Sequence, residues 1–273
     1  MMDISIDIFE EFDNFLFDGD GVLWIGNKLL PSALELITLL RKMNKIVCLV
    51  SNNSTKSIEM YNKQILSFGL MIETKYIMTS SLATLYYVQK IKEIEKVYII
   101  GEKGLISTFL DEKFDVFEGK LDKEEEKSID AVIVGMDRNF HYEKLKYALR
   151  AIKNGARFIG TNPDPSFPTE DGVIPGAGAI IGSISSATQI KPEIICGKPN
   201  VLMGELLKEK YGLKKEKTVM IGDRVSTDLL FAKACEFKGI LVKTGFGNSE
   251  LQKYSDFSFY KIINSLRDLI EDR

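Results

Sequence analysis

This 273-residue chain has a single histidine, His141, and a single tryptophan, Trp24. Any chemistry built on a histidine base would therefore rest on that one residue. Its three cysteines, Cys48, Cys196 and Cys235, stand far apart without paired spacing. That pattern argues against a zinc site or a disulfide framework and for a reduced compartment. No apolar run approaches the ~20 residues that cross a bilayer. The opening Met1-Met2-Asp3-Ile4-Ser5-Ile6-Asp7 lacks the charged-then-apolar order of a secretory signal, so a cytoplasmic location is expected. Charge excess is missing too: 36 basic against 39 acidic residues leave a net −3. Such a balance gives no electrostatic footprint for nucleic acid or for a membrane surface. Repeats of fixed period and low-complexity tracts are also absent.

What the chain does have is alternation. Apolar runs of strand length and amphipathic runs of helix length follow one another, the pattern of a parallel α/β sheet. Strands are expected at 15–17, 46–50, 97–100, 131–136, 157–160, 194–196, 218–221 and 239–242. Helices are expected at 32–43, up to about 67, after the capping run Thr79-Ser80-Ser81, and at 142–153, 200–211 and 226–235. A last helix is expected from about 262. The stretch 162–178, rich in proline and glycine, reads as an ordered loop, and 122–127 as a solvated charge run or turn. The segment 82–182 repeats the α/β theme of its flanks. The expectation is a Rossmann-like parallel-sheet core built from 1–81 and 183–273, interrupted by an inserted α/β domain over 82–182.

The polar residues with chemical capacity sit where strands end. Phe17 runs into Asp18-Gly19-Asp20-Gly21, and Val50 into Ser51-Asn52-Asn53. A short strand leads into Gly197-Lys198, and Ile221 into Gly222-Asp223-Arg224, with Asp228 just beyond. Open parallel sheets bind ligands outside the carboxyl ends of their strands, so the four clusters are expected in one crevice. Neighbouring carboxylates are costly unless positive charge lies beside them, and oxygen-only donors select a hard cation such as Mg²⁺. Ser51, Asn52 and Asn53, with backbone N–H groups leading into a helix, suit phosphate oxygens. Lys198 adds a further positive charge. These are the parts of phosphoryl transfer, whose barrier falls through positioning and electrostatics.

Simpler readings stand beside these. Asp-x-Asp-Gly also makes turns, Ser51-Asn52-Asn53 can cap a helix, and Lys198 can be a surface lysine. Asp228 can be a first-turn acid favoured by the helix dipole. Trp24 reads as a core anchor and His141 as a loop or helix-start residue. A calcium loop fails at Val22 and Leu23. A dinucleotide fingerprint fails at Ile181, and a phosphate-binding Gly-Lys-Ser/Thr fails at Pro199.

Taken in order, Asp18-Gly19-Asp20-Gly21-Val22-Leu23-Trp24, Ser51-Asn52-Asn53-Ser54-Thr55-Lys56, Gly197-Lys198-Pro199 and Gly222-Asp223-Arg224…Asp228 resemble the four motifs of the haloacid-dehalogenase-like phosphatases. Gly160-Thr161-Asn162-Pro163-Asp164 and Pro175-Gly176-Ala177-Gly178 narrow the resemblance. They point to the 4-nitrophenylphosphatase/phosphoglycolate phosphatase group, which carries a large α/β (C2-type) cap. The likeness covers nearly the whole chain. One departure is Val225-Ser226, where the group often has Leu-Asp.

The resemblance implies Asp18 as nucleophile, forming an aspartyl-phosphate, and Asp20 as the proton carrier. It implies Mg²⁺ held by the Asp18 carboxylate, the Asp20 backbone carbonyl and Asp223, with Asp228 in support. It implies Ser51 and Asn52 on the phosphoryl oxygens, with Asn53 beside them in the substrate site, and Lys198 on the charge shared by Asp18 and phosphate. The cap, chiefly its 162–175 loop, would set specificity for a small phosphorylated metabolite, and a homodimer could form through the caps. Phosphoglycolate or a related hydroxy-acid phosphate is the first substrate expected. Pyridoxal 5′-phosphate is the second, because relatives that take it use cap-loop histidines that this loop lacks. A phosphotransferase using the same aspartyl-phosphate is a further alternative.

Overall fold

The computed structural model of the chain describes residues 7–169 and 172–271. The segment before Asp7, and Glu170 and Asp171 within the expected loop, lie outside the described residues. The chain forms two compact units. The first takes residue 7 through Ser51, Asn62–Met78 and Lys198 onward; the second takes Asn52–Tyr61 and Thr79–Gly197.

The first unit is built on a six-stranded sheet. In spatial order its strands are Lys261–Ile263, Lys238–Val242, Thr218–Gly222, Asn14–Phe17, Ile46–Ser51 and Ile77–Thr79. The central strands are buried throughout, and after Asn14 and Thr218 they are apolar without alternation, as suits parallel strands covered on both faces. From Asn14–Phe17 the chain builds first to one side and later to the other, which makes that strand the switch point of the sheet. Register does the rest. Phe17 lies opposite Leu49 on one side and Ile221 on the other. The residues following all three strands therefore emerge along one edge.

Helices follow from local chemistry. In Ala33–Lys42, Leu36, Ile37 and Leu40 form the buried stripe, with Glu35 in the first turn and Arg41 and Lys42 in the last, matching the helix dipole. Leu202–Tyr211 stops at Gly212, which adopts φ +64, a conformation that suits glycine.

The second unit has a five-stranded parallel sheet in the order Ile194–Ile195, Arg157–Gly160, Ala131–Val134, Lys96–Ile100, Asp115–Phe117. Its core gathers Tyr98, Val132, Val134, Tyr147, Phe158 and Ile184. His141 stands at the start of the Tyr142–Lys153 helix. All three cysteines are buried thiols without a disulfide. No helix among the described residues is long and apolar enough to cross a membrane.

Several expectations need correction. The inserted unit does not end at 182. The Ala177–Thr188 helix buries Ile180, Ile181 and Ile184 in the second core, and Ile194–Ile195 pairs with Arg157–Gly160, so the unit runs on to Gly197. It also claims Asn52–Tyr61: Ser80 Oγ donates to Asn52 O (2.6 Å), and Gly104 N to Thr55 O (3.2 Å). The expected 162–178 loop contains an antiparallel hairpin, Ser166–Thr169 with Gly172–Pro175. A strand, Lys261–Ile263, precedes the last helix, which begins only at Arg267. The helix expected over 226–235 opens with a wide π turn, Val225–Leu229.

The charge run at 122–127 is a helix, Lys123–Ser128, closed by a capping box between Asp122 and Glu125. Its Glu126 is buried and paired with Arg150 at 2.9 Å. Asp122→Ala removes the acceptor of two backbone N–H groups and should cost about 1 kcal/mol. Urea unfolding measures it, and an unchanged midpoint would mean that the cap carries no stability.

Candidate active site

Lys198 is the centre of the site. Its side chain is 1 % exposed, yet its ammonium lies 2.7 Å from Asp18 Oδ1, 2.7 Å from Asp228 Oδ1 and 2.7 Å from the carbonyl of Val50. The Asp18 carboxylate and the Val50 carbonyl accept its hydrogen bonds, and Asp228 faces it as an ion pair. Asp18 follows the central strand, and its N–H donates to Ile221 O at 3.0 Å; Val50 lies within the neighbouring strand. Burial opposes charge on the lysine, but Asp18 and Asp228 outweigh it and hold the ammonium above its usual range.

Asp223 completes the group. One carboxylate oxygen from each of Asp18, Asp223 and Asp228 lies within 4.8 Å of the others. Asp223 Oδ2 accepts from Phe246 N (2.7 Å), and Asp228 Oδ2 from Arg224 N (3.1 Å). Asp228 Oδ1 has the charge of Lys198 beside it but, among the described residues, accepts no hydrogen bond. Two glycines with positive φ, Gly21 and Gly245, flank Asp223, and a Cβ on either would overlap its carboxylate. Thr244 Oγ1 ties the two loops together by donating to Gly21 O at 2.5 Å. The Arg224 guanidinium sits 4.1 Å from the Phe246 ring centroid.

The charges do not balance. Three acids face one ammonium, in a place with little water. Burial, against the pull of Lys198 and with Asp228 adding to it, pushes Asp18 up to about 7. Burial, then Asp228 and Asp18, raise Asp223 well above the carboxylate range. A hard divalent cation on Asp18, Asp223 and Asp228 would remove that strain, since every donor is an oxygen. The residues present therefore fit Mg²⁺.

The other expected residues are placed as follows. Asp20 accepts from the indole of Trp24 at 3.2 Å. Ser51 is buried at the end of the Ile46–Ser51 strand. Asn52 and Asn53 belong to the second unit. Asn52 Nδ2 donates to Asp164 Oδ2 (3.1 Å), its carbonyl accepts from Asn162 Nδ2 (2.8 Å), and Asn53 Oδ1 accepts from Thr55 N (2.9 Å). The structure thus brings Asp18, Lys198, Asp223 and Asp228 together, while Asn52 and Asn53 are held by their own unit. The Thr244–Gly247 loop, which meets Asp223 through Phe246 N, carries no acidic or amide cluster in its sequence. Its one signal in the sequence is a glycine-rich run after an apolar strand, the position the four polar clusters share.

The chain is similar to known proteins over most of its length. The family model described as haloacid dehalogenase-like hydrolase matches residues 15–115, and one described as HAD-hydrolase-like matches 195–269. A phosphoglycolate phosphatase of Arabidopsis thaliana is 34% identical over 87% of this chain and 70% of its own. The chain belongs to the haloacid dehalogenase-like hydrolases. Within that family it falls among the 4-nitrophenylphosphatase and phosphoglycolate phosphatase group. The 4-nitrophenylphosphatase of Schizosaccharomyces pombe is 35% identical, covering 88% of this chain and 87% of that one. A crystal structure of 4-nitrophenylphosphatase from Thermotoga maritima superposes with a TM-score of 0.87 at 29% identity, over 97% of this chain and 98% of that one.

In this haloacid dehalogenase-like chain, Lys198→Ala would leave buried carboxylates without their counter-charge. The expected loss is roughly 3–5 kcal/mol, read by urea unfolding with divalent ions chelated. A loss below about 1 kcal/mol, the size of an exposed pair, would mean that Lys198 does not neutralise this cluster.

Proposed function

We propose that this phosphatase is a Mg²⁺-dependent phosphomonoester hydrolase acting on small phosphorylated metabolites through an aspartyl-phosphate. The observation that carries the reading is the buried Lys198 ammonium shared by Asp18 and Asp228, with Asp223 in reach of both.

The steps follow from the side chains. An Asp18 carboxylate oxygen attacks phosphorus as the bond to the leaving oxygen breaks. Lys198 holds Asp18 in place and lowers the repulsion between it and the arriving phosphate. Asp20 gives its proton to the leaving oxygen, then takes one from the water that attacks the aspartyl-phosphate. Asp18 is released as a carboxylate, and Asp20 is protonated again. Mg²⁺, held by Asp18, the Asp20 carbonyl, Asp223 and Asp228, would supply charge neutralisation on the transferring group. Ser51, Asn52 and Asn53 donate to the phosphoryl oxygens.

The second unit serves as the cap, with the hairpin region of 162–175 selecting the substrate. Asp164, through Asn52, gives that region a hold on a phosphate-binding residue. Phosphoglycolate or a related hydroxy-acid phosphate is the favoured substrate, supported by the names of the relatives. Pyridoxal 5′-phosphate is second, since 162–175 contains no histidine. A cytoplasmic homodimer assembled through the caps completes the reading.

Asp18→Asn should lower turnover of 4-nitrophenyl phosphate on the order of 10⁴-fold or more with an unchanged circular dichroism spectrum. Retained turnover would remove Asp18 as nucleophile. In water enriched in heavy oxygen, the label should appear in the released phosphate. Unlabelled phosphate on an added sugar would make the enzyme a phosphotransferase instead.

Ca²⁺ in place of Mg²⁺ should inhibit, because a larger ion with more ligands can hold both Asp18 oxygens. Full turnover in Ca²⁺ would contradict the proposed role of Asp18 at the metal.

A further inference from the structure

Trp24 fills the core, but its polar edge is also aimed. The indole is fully buried, and its Nε1–H donates to Asp20 Oδ1 at 3.2 Å. A residue chosen only for volume needs no donor directed at a carboxylate. The backbone enforces the meeting: Trp24 N donates to Gly19 O (3.1 Å) and Gly21 N to Trp24 O (2.7 Å), curling 19–24 back on itself. Gly19 makes room for the ring, since a Cβ there would lie 2.6 Å from Trp24 Cζ2. On the other side Trp24 pairs with Leu29 in a short hairpin, and its ring centroid lies 5.8 Å from that of Phe68. The indole is thus fixed from several directions.

We propose that Trp24 is a positioning residue for Asp20, setting the rotation of its carboxylate through the indole N–H. The inference rests on the proposed role of Asp20 as proton carrier. An indole N–H donates and cannot accept, so Oδ1 stays an acceptor while this bond stands. The proton that Asp20 carries is therefore on Oδ2. It passes from Oδ2 to the leaving oxygen as the phosphorus–oxygen bond breaks, and an attacking water later returns a proton to Oδ2. Without the indole N–H the carboxylate can turn about its own bonds, and a displacement of about 1 Å can cost roughly 10²-fold in rate.

Because Trp24 is the only tryptophan, a tryptophan auxotroph fed β-(3-benzothienyl)alanine replaces this indole alone, exchanging N–H for sulfur in a ring of similar shape. The readout is kcat/KM for two substrates in the full-length enzyme. Glycerol phosphate has a leaving group that needs a proton; 4-nitrophenyl phosphate has one that barely does. The expected result is a loss roughly tenfold or more larger for glycerol phosphate than for 4-nitrophenyl phosphate, repeated by Trp24→Phe. A loss equal on both substrates, as general disturbance of packing would give, overturns the proposal, and so does no loss on either. Asp20→Asn separates the two layers. If it shows the selective loss and the Trp24 variants do not, Trp24 alone is refuted. If Asp20→Asn shows no selective loss, the role of Asp20 falls and this inference with it.

Discussion

A buried ammonium surrounded by carboxylates is the constraint on which the rest of this molecule depends. Lys198 makes three contacts of 2.7 Å, to Asp18, Asp228 and the carbonyl of Val50. Burying such a group costs several kcal/mol and is tolerable only when its partners are numerous and well placed. Here they come from three neighbouring strands of one parallel sheet and the turns that follow them. Because the Asn14–Phe17, Ile46–Ser51 and Thr218–Gly222 strands run in parallel with matched register, residues far apart in sequence reach the same edge. The proposed catalytic capacity of the site is a consequence of that register.

Lys198 does not finish the neutralisation. With three acids against one ammonium, burial pushes Asp18 and Asp223 upward, and a second source of positive charge is called for. The surroundings of Asp223 are shaped to keep it ready: glycines at 21 and 245 leave no side chain against it, and the Phe246 N–H holds one of its oxygens. Stability and chemistry are coupled here, since the same acids that strain the folded state are the ones suited to a divalent ion.

Much of this was legible in the residues. An apolar strand followed by two aspartates, repeated as strand-then-polar at Ser51 and Asp223, carries the sheet edge in its pattern, whereas Lys198 follows a strand of the other sheet; the parallel-sheet class follows from the same alternation. Other features were less accessible. The Ile194–Ile195 strand looks like a return to the first sheet because its partner is decided by tertiary packing, not by its own two residues. The Ser166–Thr169 hairpin is hidden by a composition rich in proline and glycine. The Asp122 cap did have a signal, an aspartate with glutamate three residues on, masked by the density of charge around it. The bond from Trp24 to Asp20 needs the loop to curl back through Gly19, which no spacing rule announces.

On the proposed reading, one divalent cation completes the charge of this cluster. Calorimetric titration of Mg²⁺ into the wild-type protein and into Asp223→Asn, with no phosphate present, tests it most directly. One Mg²⁺ should bind per chain, with affinity weakened about tenfold or more when Asp223 loses its charge. No binding to the wild type, or equal affinity in the two proteins, would contradict it.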